Sequence, residues 1–317
     1  MIRKILVWTV AVLLVLVAGF VIAVQLRWDR TFDATLPDIR ASTDPDVIAA
    51  GRYLAYGPAH CANCHVPPEL HPALERGEEP PLSGGGAFHP PPGTFRTPNL
   101  TPDSATGIGA VSDGQLARVL RYGVRRDGRS AVPFMNYHEL SDADLTALVS
   151  FLRSQPPVSH PVPPHDLNLL GKAVMAFLIQ PIGPRAEPAK ASPAPGPTVE
   201  RGEYLVSTVA ECADCHTERS MVDGSFTGPR LAGGGVMLRK NGLVLVPPNL
   251  TPDPRTGRLA SWSEEQFVVR FRQGKVIPES PMPWNAFARM TEDDLRAIYR
   301  YLRSVPPVER DPSTSER

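Results

Sequence analysis

Cys61-Ala62-Asn63-Cys64-His65 and Cys212-Ala213-Asp214-Cys215-His216 decide how this chain is read. Together they use all four of its cysteines. Each pair ends in His, and each lies inside a longer duplicated frame. Gly51-Arg52-Tyr53-Leu54 returns as Gly202-Glu203-Tyr204-Leu205, with the Tyr eight residues before the first Cys in both copies. Leu82-Ser83-Gly84-Gly85-Gly86 returns as Leu231-Ala232-Gly233-Gly234-Gly235. Pro98-Asn99-Leu100-Thr101-Pro102-Asp103 returns as Pro248-Asn249-Leu250-Thr251-Pro252-Asp253. Phe151-Leu152-Arg153-Ser154 returns as Tyr301-Leu302-Arg303-Ser304, each followed by Pro-Pro-Val. One fold of ~110 residues, made twice, is the direct reading of such a repeat.

The chemistry of C-x-x-C-H points to covalent haem attachment. Two thiols at this spacing lie along one porphyrin edge and can add to its two vinyl groups. The next residue, His, then falls under the iron as proximal ligand. Zinc is the competing reading, since Cys and His are its usual ligands. Against zinc, each His directly follows its own Cys pair, and each set sits in its own complete repeat. Two C-x-x-C disulfides would leave the histidines unexplained. Cys61, Cys64, Cys212 and Cys215 are therefore the expected attachment points of two covalently bound haem c groups, with His65 and His216 as iron ligands.

Composition fits that picture. The chain has 317 residues, with 36 Pro, 25 Gly and only 7% aromatics, which suits small loop-rich domains completed by a large apolar cofactor. A domain of ~110 residues buries less than about 70% of its unfolded surface, so a haem would supply missing core. Basic and acidic residues balance at 33 each, and no polybasic run suggests nucleic acid.

The N-terminus reads as a membrane anchor, residues 1–30. Ile5 to Val24 is an uncharged apolar run of 20 residues, enough for about 30 Å of hydrocarbon. Arg3 and Lys4 precede it and keep the N-terminus cytoplasmic. The rival is a cleaved signal peptide ending near Val21-Ile22-Ala23. Either way the rest of the chain is exported, which places the soluble part in the periplasm, beside a bacterial inner membrane crossed once.

Each copy predicts three helices separated by long loops, with no segment that demands a sheet. The first starts near Asp44-Pro45 or Thr198. The second covers roughly Asp113 to Tyr122, or Glu264 to Arg272. The last starts at Ser141-x-x-Asp144 or Thr291-x-x-Asp294, both resembling capping boxes. Its apolar residues, Leu145, Leu148 and Leu152, or Leu295, Ile298 and Leu302, fall on one face. Gly51 and Gly202 sit inside the first helices, where close helix crossing would offset their cost. Asp103-x-x-Thr106-Gly107 and Asp253-x-x-Thr256-Gly257 predict Asx turns. The three-glycine runs lack the strand–turn–helix context of a dinucleotide site. They are expected to let backbone approach the haem. A Pro-rich linker joins the copies and is expected to set their separation. Its segment Leu167 to Ile179 is too short to span a bilayer. We expect it to pack between the domains, the alternative being a docking or membrane-surface helix.

These motifs resemble tandem class I cytochrome c domains, and especially the membrane-anchored cytochrome subunits of bacterial periplasmic dehydrogenases. The resemblance rests on the C-x-x-C-H sites, the Pro-Asn-Leu-Thr-Pro-Asp segments, Pro281-Met282-Pro283-Trp284 and the Asp-Leu helices with their Leu-Arg-Ser ends. Those subunits often carry three haems, whereas this chain has two sites. The resemblance implies an all-α fold: an anchor, a cytochrome domain at 41–158, a linker at 159–197 and a second domain at 198–310. It implies Met282, thirteen residues before Leu295, as distal ligand of the second haem. In the first copy Val132 holds that place and cannot ligate iron, so Met135 is the candidate. His138, His89 or a five-coordinate haem iron remain as alternatives. It also implies that a proline carbonyl orients each proximal His, and Pro80 and Pro229 match that position. Arg96 is a candidate partner for a haem propionate or a plain surface residue, and Trp262 and Trp284 are expected in the core or haem wall.

The implied function is electron transfer between a periplasmic dehydrogenase or quinol-oxidising complex and a downstream cytochrome or oxidase. No catalytic residue is expected in the chain, which reads as a cytochrome subunit more than a stand-alone enzyme. If the first iron has an open position, the alternative is a dihaem oxidoreductase of thiosulfate or peroxide type, or a haem-based ligand sensor.

Overall fold

The structure, a computed structural model, describes residues 1–135, 137–181, 191–220, 224–235, 238–240 and 243–312. It begins with α1 (Ile2–Arg27), one helix long and apolar enough to cross a membrane. The first half follows as α2 (Pro45–Tyr56), α3 (Ala62–His65), α4 (His71–Glu75), α5 (Asp113–Tyr122) and α6 (Asp142–Ser154). A further helix, α7 (Leu169–Phe177), precedes the second half. That half holds α8 (Val199–Tyr204), α9 (Cys212–His216), α10 (Glu264–Arg272), α11 (Trp284–Phe287) and α12 (Glu292–Ser304). The expected helix starts are all present, because their caps are in the sequence. Asp44 and Thr198 accept backbone N–H bonds from Asp46 and Arg201. Ser112 with Gln115, and Ser263 with Gln266, form complete capping boxes.

Two small sheets qualify the all-α expectation. β1 (Ala87–Phe88), β2 (Gly93–Arg96) and β3 (Asp166–Leu167) pair antiparallel in that order. In the second half β4 (Leu238–Lys240) pairs with β5 (Leu243–Leu245). Strands of two to four residues are too short to leave an alternating signature.

In each half the first helix lies across the last. A Cβ on Gly51 would sit 1.9 Å from the Ala147 carbonyl oxygen, and one on Gly202 would sit 2.0 Å from that of Ala297. Only glycine permits this approach. Leu54, Leu148 and Phe151 pack around one crossing, and Leu205, Ile298 and Leu302 around the other, within one apolar cluster that spans both halves.

Tyrosines join the halves reciprocally. A capping box needs Glu or Gln at its third position to reach back to the cap N–H. Here the third residues are Asp144 and Asp294, whose side chains are shorter. Ser141 and Thr291 still accept from their backbone N–H groups. The cap N–H groups, however, turn to the opposite half. Ser141 N–H donates to the Tyr204 hydroxyl at 3.0 Å, and that hydroxyl donates to the Asp144 carboxylate at 2.5 Å. Thr291 N–H donates to the Tyr53 hydroxyl at 3.2 Å, and Tyr53 donates to Asp294 at 2.6 Å. Each box is thus completed by a residue of the other half. Burial first, then the adjacent carboxylate, raises both phenol pKa values, so both hydroxyls stay protonated donors. Arg201 adds a buried ion pair to Asp294 at 2.8 Å. Nearby, Arg289 reaches Glu79 at 3.2 Å and donates to the Glu78 carbonyl at 2.7 Å.

The linker differs from expectation in two ways. Its first part is stitched to the first half: β3 pairs with β2, Arg96 donates to the Pro164 carbonyl at 2.7 Å, and Asn168 donates to that of Pro91. The spacing of the halves is therefore set by their direct contact. Secondly, α7 does not lie between the halves. It packs on α1, with Phe177 stacked on Phe20 at 6.0 Å, and on the first half, where a Cβ on Gly171 would meet the Pro92 carbonyl at 2.1 Å.

Gly51→Ala and Gly202→Ala should each destabilise the chain by about 1–3 kcal/mol, the usual cost of overpacking. Denaturant unfolding measures this, and a change within ~0.5 kcal/mol would remove the close-crossing argument. Tyr204→Phe should cost about 1–3 kcal/mol, since it strands the buried Ser141 N–H and the Asp144 carboxylate; Tyr53→Phe should cost less, since Thr291 is exposed and Asp294 keeps its bonds to Arg201. Unchanged unfolding midpoints in both variants would mean that the relays contribute nothing.

Candidate functional site

Both Cys-His segments form a short helical turn directly after the first helix of their half. The residue before each first cysteine is left-handed: His60 has φ 40° and Glu211 has φ 49°. This reversal swings α3 and α9 back against the core. Cys61 and Cys212 are partly buried, Cys64 and Cys215 exposed, and all four thiols are free. Burial pushes Cys61 and Cys212 up to about 12, and raises Cys64 and Cys215 as well. A reactive dithiol needs the opposite shift. The two Cys-Cys-His sets also remain apart: among the described residues, no group of three or more Cys, His, Asp or Glu gathers as a metal site.

His65 and His216 are buried, and desolvation lowers both imidazole pKa values. Each ring is held by its Nδ1 atom. His65 Nδ1 lies 3.0 Å from the Pro98 carbonyl oxygen, and His216 Nδ1 lies 2.9 Å from that of Pro248. This corrects the expected acceptors, Pro80 and Pro229. The Pro80 carbonyl instead accepts from the Tyr56 hydroxyl, and that of Pro229 from Ala232 N–H. A neutral imidazole bonded through Nδ1–H presents Nε2 as its free lone pair.

The Pro-Asn-Leu-Thr-Pro-Asp segments hold these carbonyls in place. Asn99 accepts from Thr101 N–H at 2.9 Å and donates to the Val158 carbonyl at 2.8 Å. Asn249 does the same with Thr251 and Val308 at the same distances. Asp103 and Asp253 accept from Thr106 and Thr256 N–H at 2.6 and 2.8 Å, closing the expected Asx turns. The Pro-Pro-Val tail after each last helix thereby ties the turn to the end of its own half.

The glycine runs approach protein backbone. Gly84 (φ +75°) and Gly233 (φ +85°) donate to the carbonyls of His65 and His216 at 2.7 and 2.8 Å. A Cβ on Gly84 would lie 2.5 Å from the Pro98 carbonyl, and one on Gly235 would lie 2.3 Å from that of Cys215. Cys-His turn, glycine run and proline turn are thus locked together in both copies.

Met135 and Met282 are each partly buried and packed against the apolar core. Met282 is framed by Trp284, whose backbone N–H donates to its carbonyl at 2.7 Å and whose indole N–H donates to Ser280 at 3.0 Å. Arg270 covers that indole at 3.7 Å. The histidine alternatives are placed otherwise. His138 Nδ1 is 3.0 Å from the Arg121 carbonyl, and His89 is exposed beside Thr94. Trp262 lies in the core shell. Arg96 is bound to Pro164 of the linker.

Sequence reasoning missed the contact between the first turn and the second half. His60, next to Cys61, stacks edge-on against Phe287 of the second half at 5.9 Å. Tyr137, the first-half counterpart of Phe287, donates to the Ala59 carbonyl. Burial raises its pKa. Burial also pushes the Glu211 carboxyl up to about 8, Asp214 adding to this and Arg219 opposing it. Tyr137 and Phe287 occupy matching places four residues before Ser141 and Thr291, which is the signal that could have found them.

No protein-family model matches the chain. It is 29% identical, over 89% of its length, to the cytochrome c subunit of a quinone alcohol dehydrogenase from Gluconacetobacter polyoxogenes, and spans 62% of that protein. It is 30% identical, over 84% of its length, to the fructose dehydrogenase cytochrome subunit of Gluconobacter japonicus, of which it spans 54%. It is 28% identical, over 78% of its length, to a dihaem c-type cytochrome from Cereibacter sphaeroides, and covers 83% of it. The homologues of this chain are therefore cytochrome c subunits of bacterial dehydrogenases, a dihaem c-type cytochrome among them.

Proposed function

We propose that the chain is a membrane-anchored dihaem c-type cytochrome. It carries electrons between a periplasmic dehydrogenase or quinol-oxidising complex and a downstream cytochrome or oxidase. Residues 1–30 are the anchor, and 41–158 and 198–310 are class I cytochrome domains joined by 159–197. The observation that carries this reading is the matched pair of turns. In both, a buried His is fixed through Nδ1 by a proline carbonyl, one residue after a C-x-x-C pair of unpaired thiols.

The residues present fit a covalently held haem. Cys61 with Cys64, and Cys212 with Cys215, would bind its vinyl edge. His65 and His216 offer Nε2 as proximal donor, and the bond through Nδ1 fixes ring orientation and raises donor basicity. Met282 and Met135 are the distal candidates, soft neutral donors that favour the reduced state. A bound haem supplies a one-electron iron couple. The protein's own contribution is ligation, dry packing and a fixed spacing of the two turns. The first turn reaches the contact between the halves at His60–Phe287, which supports transfer from one haem to the other within the chain. Balanced overall charge implies modest long-range steering of partners.

Intact-mass analysis of the exported protein should find two haem additions, and a Cys61→Ser/Cys64→Ser variant should carry one. A variant that still carries two ends the attachment assignment. EPR and near-infrared spectra should report His/Met ligation at both irons. Met135→Ala and Met282→Ala should each convert one of them and leave the other unchanged. A native high-spin ferric signal that Met135→Ala does not alter would remove Met135 as ligand.

A further inference from the structure

α7 has an apolar face that the described chain covers only in part, at Phe177. Leu169, Leu170, Phe177 and Leu178 are 45%, 53%, 42% and 51% exposed. The opposite, small-residue side is the buried one: Gly171 and Ala176 are packed away, Gly171 against Pro92 of the first half. The depth of this helix is fixed by α1. Phe177 stacks on Phe20, their rings inclined by only 20°. Phe20 lies inside the apolar run, four residues before its end at Val24, or about 6 Å along a helix that rises 1.5 Å per residue. Whatever surrounds Phe20 therefore surrounds Phe177.

Just beyond that level, cations and an indole gather. Arg27 lies 5.5 Å from the Phe177 ring, while Lys172 and Arg129 lie 4.9 and 6.0 Å from Trp28. Arg30 covers Phe32 at 4.8 Å, and its Nε and Nη2 atoms are buried without a hydrogen-bond partner. Asp127 is within 4 Å of Arg125 and Arg129 and offsets part of this charge. Tryptophan and basic side chains at the end of an apolar helix mark a headgroup layer. A short helix with an apolar face at that level lies in the interface plane, its apolar side about 5–10 Å into the headgroup–acyl boundary.

We propose that α7 is a second membrane contact, seated in the interface of a bilayer with anionic headgroups and held at its depth by the Phe20–Phe177 stack. This rests on α1 being a retained span. It also orients the molecule. The first half is stitched to both α7 and the segment after α1, where Phe32 N–H donates to the Gly128 carbonyl at 2.8 Å. The first C-x-x-C-H turn thus belongs to the half next to the membrane, the second to the half farther out.

The test uses the full-length holoprotein in phosphatidylcholine–phosphatidylglycerol vesicles. Leu170→Cys and Leu178→Cys carry an environment-sensitive fluorophore, with Val12→Cys in α1 and the exposed Lys275→Cys as references. The haem band confirms folding of each variant. Expected are a blue-shifted emission and quenching by lipid-borne nitroxide at residues 170 and 178, weaker than at 12 and absent at 275. Lipid quenching at 12 with water-like emission at 170 and 178 overturns the proposal and leaves the anchor standing. Loss of residue 12 from the mature protein, or water-like emission there, overturns both. Lowered phosphatidylglycerol should weaken quenching at 170 and 178 and leave residue 12 unchanged; equal quenching at 170 and 178 without anionic lipid overturns the headgroup part of the proposal.

Discussion

Two backbone N–H groups, on Ser141 and Thr291, explain why this chain is one body. Each heads the helix that crosses α2 or α8, and each lacks the local Glu or Gln that would satisfy it. At Ser141, which is buried, a cap donor without a partner would cost about 1–3 kcal/mol; at the exposed Thr291 the cost would be smaller. The Tyr204 and Tyr53 hydroxyls accept those bonds from across the contact, and donate their own hydrogen bonds to Asp144 and Asp294. The last helix of each half is therefore finished by the other half. Shortening Glu to Asp at two positions turns a local motif into an interface, and the distance between the two Cys-His turns becomes a property of that interface.

The reciprocity is imperfect, and the departures fall next to the turns. Arg201 pairs with Asp294, whereas its counterpart in the first half is Ala50. Asn63 in one C-x-x-C becomes Asp214 in the other, which pairs with Arg219. His60, whose pKa burial lowers to about 4, is matched by Glu211, raised to about 8. Phe287 is matched by Tyr137. Two sites of one ancestry thus sit in different fields. For redox centres, charge, burial and hydrogen bonding around the site are the protein's main levers on potential besides the ligands themselves. Duplication supplied the frame, and the residues beside the cysteines make its two copies unlike.

What the sequence made legible was what is encoded locally. Asp44, Ser141, Thr198 and Thr291 announced helix starts because a cap is a single side chain bonding two or three residues on. Gly51 and Gly202 announced the crossings, since little else explains glycine in a helix that must be held tightly. The two Cys-His turns were legible because each motif is contiguous in the sequence. The proline acceptors were not. Pro80, Pro98, Pro229 and Pro248 all offer carbonyls, and the choice is made by Asn99 and Thr101 tying the turn to Val158. Those bonds join residues more than fifty apart, and no local pattern ranks the candidates. Arg96 went astray for the same reason, its partner being the Pro164 carbonyl. The position of α7 was hidden too: an apolar segment between two repeats does not say whether protein or lipid will cover it.

The linker then takes on a role that its composition disguised. A Pro-rich stretch between two domains suggests a spacer, but this one runs first along the first half, on the side from which α1 leaves. β3 pairs with β2 and α7 leans on α1. A free spacer would have left the halves to find each other by diffusion, at an entropic cost that grows slowly with its length. Here the tyrosine relays already fix the halves, so the linker is released from spacing them. Pinned at its start, it orders the surface from which α1 emerges and holds the first half against that surface.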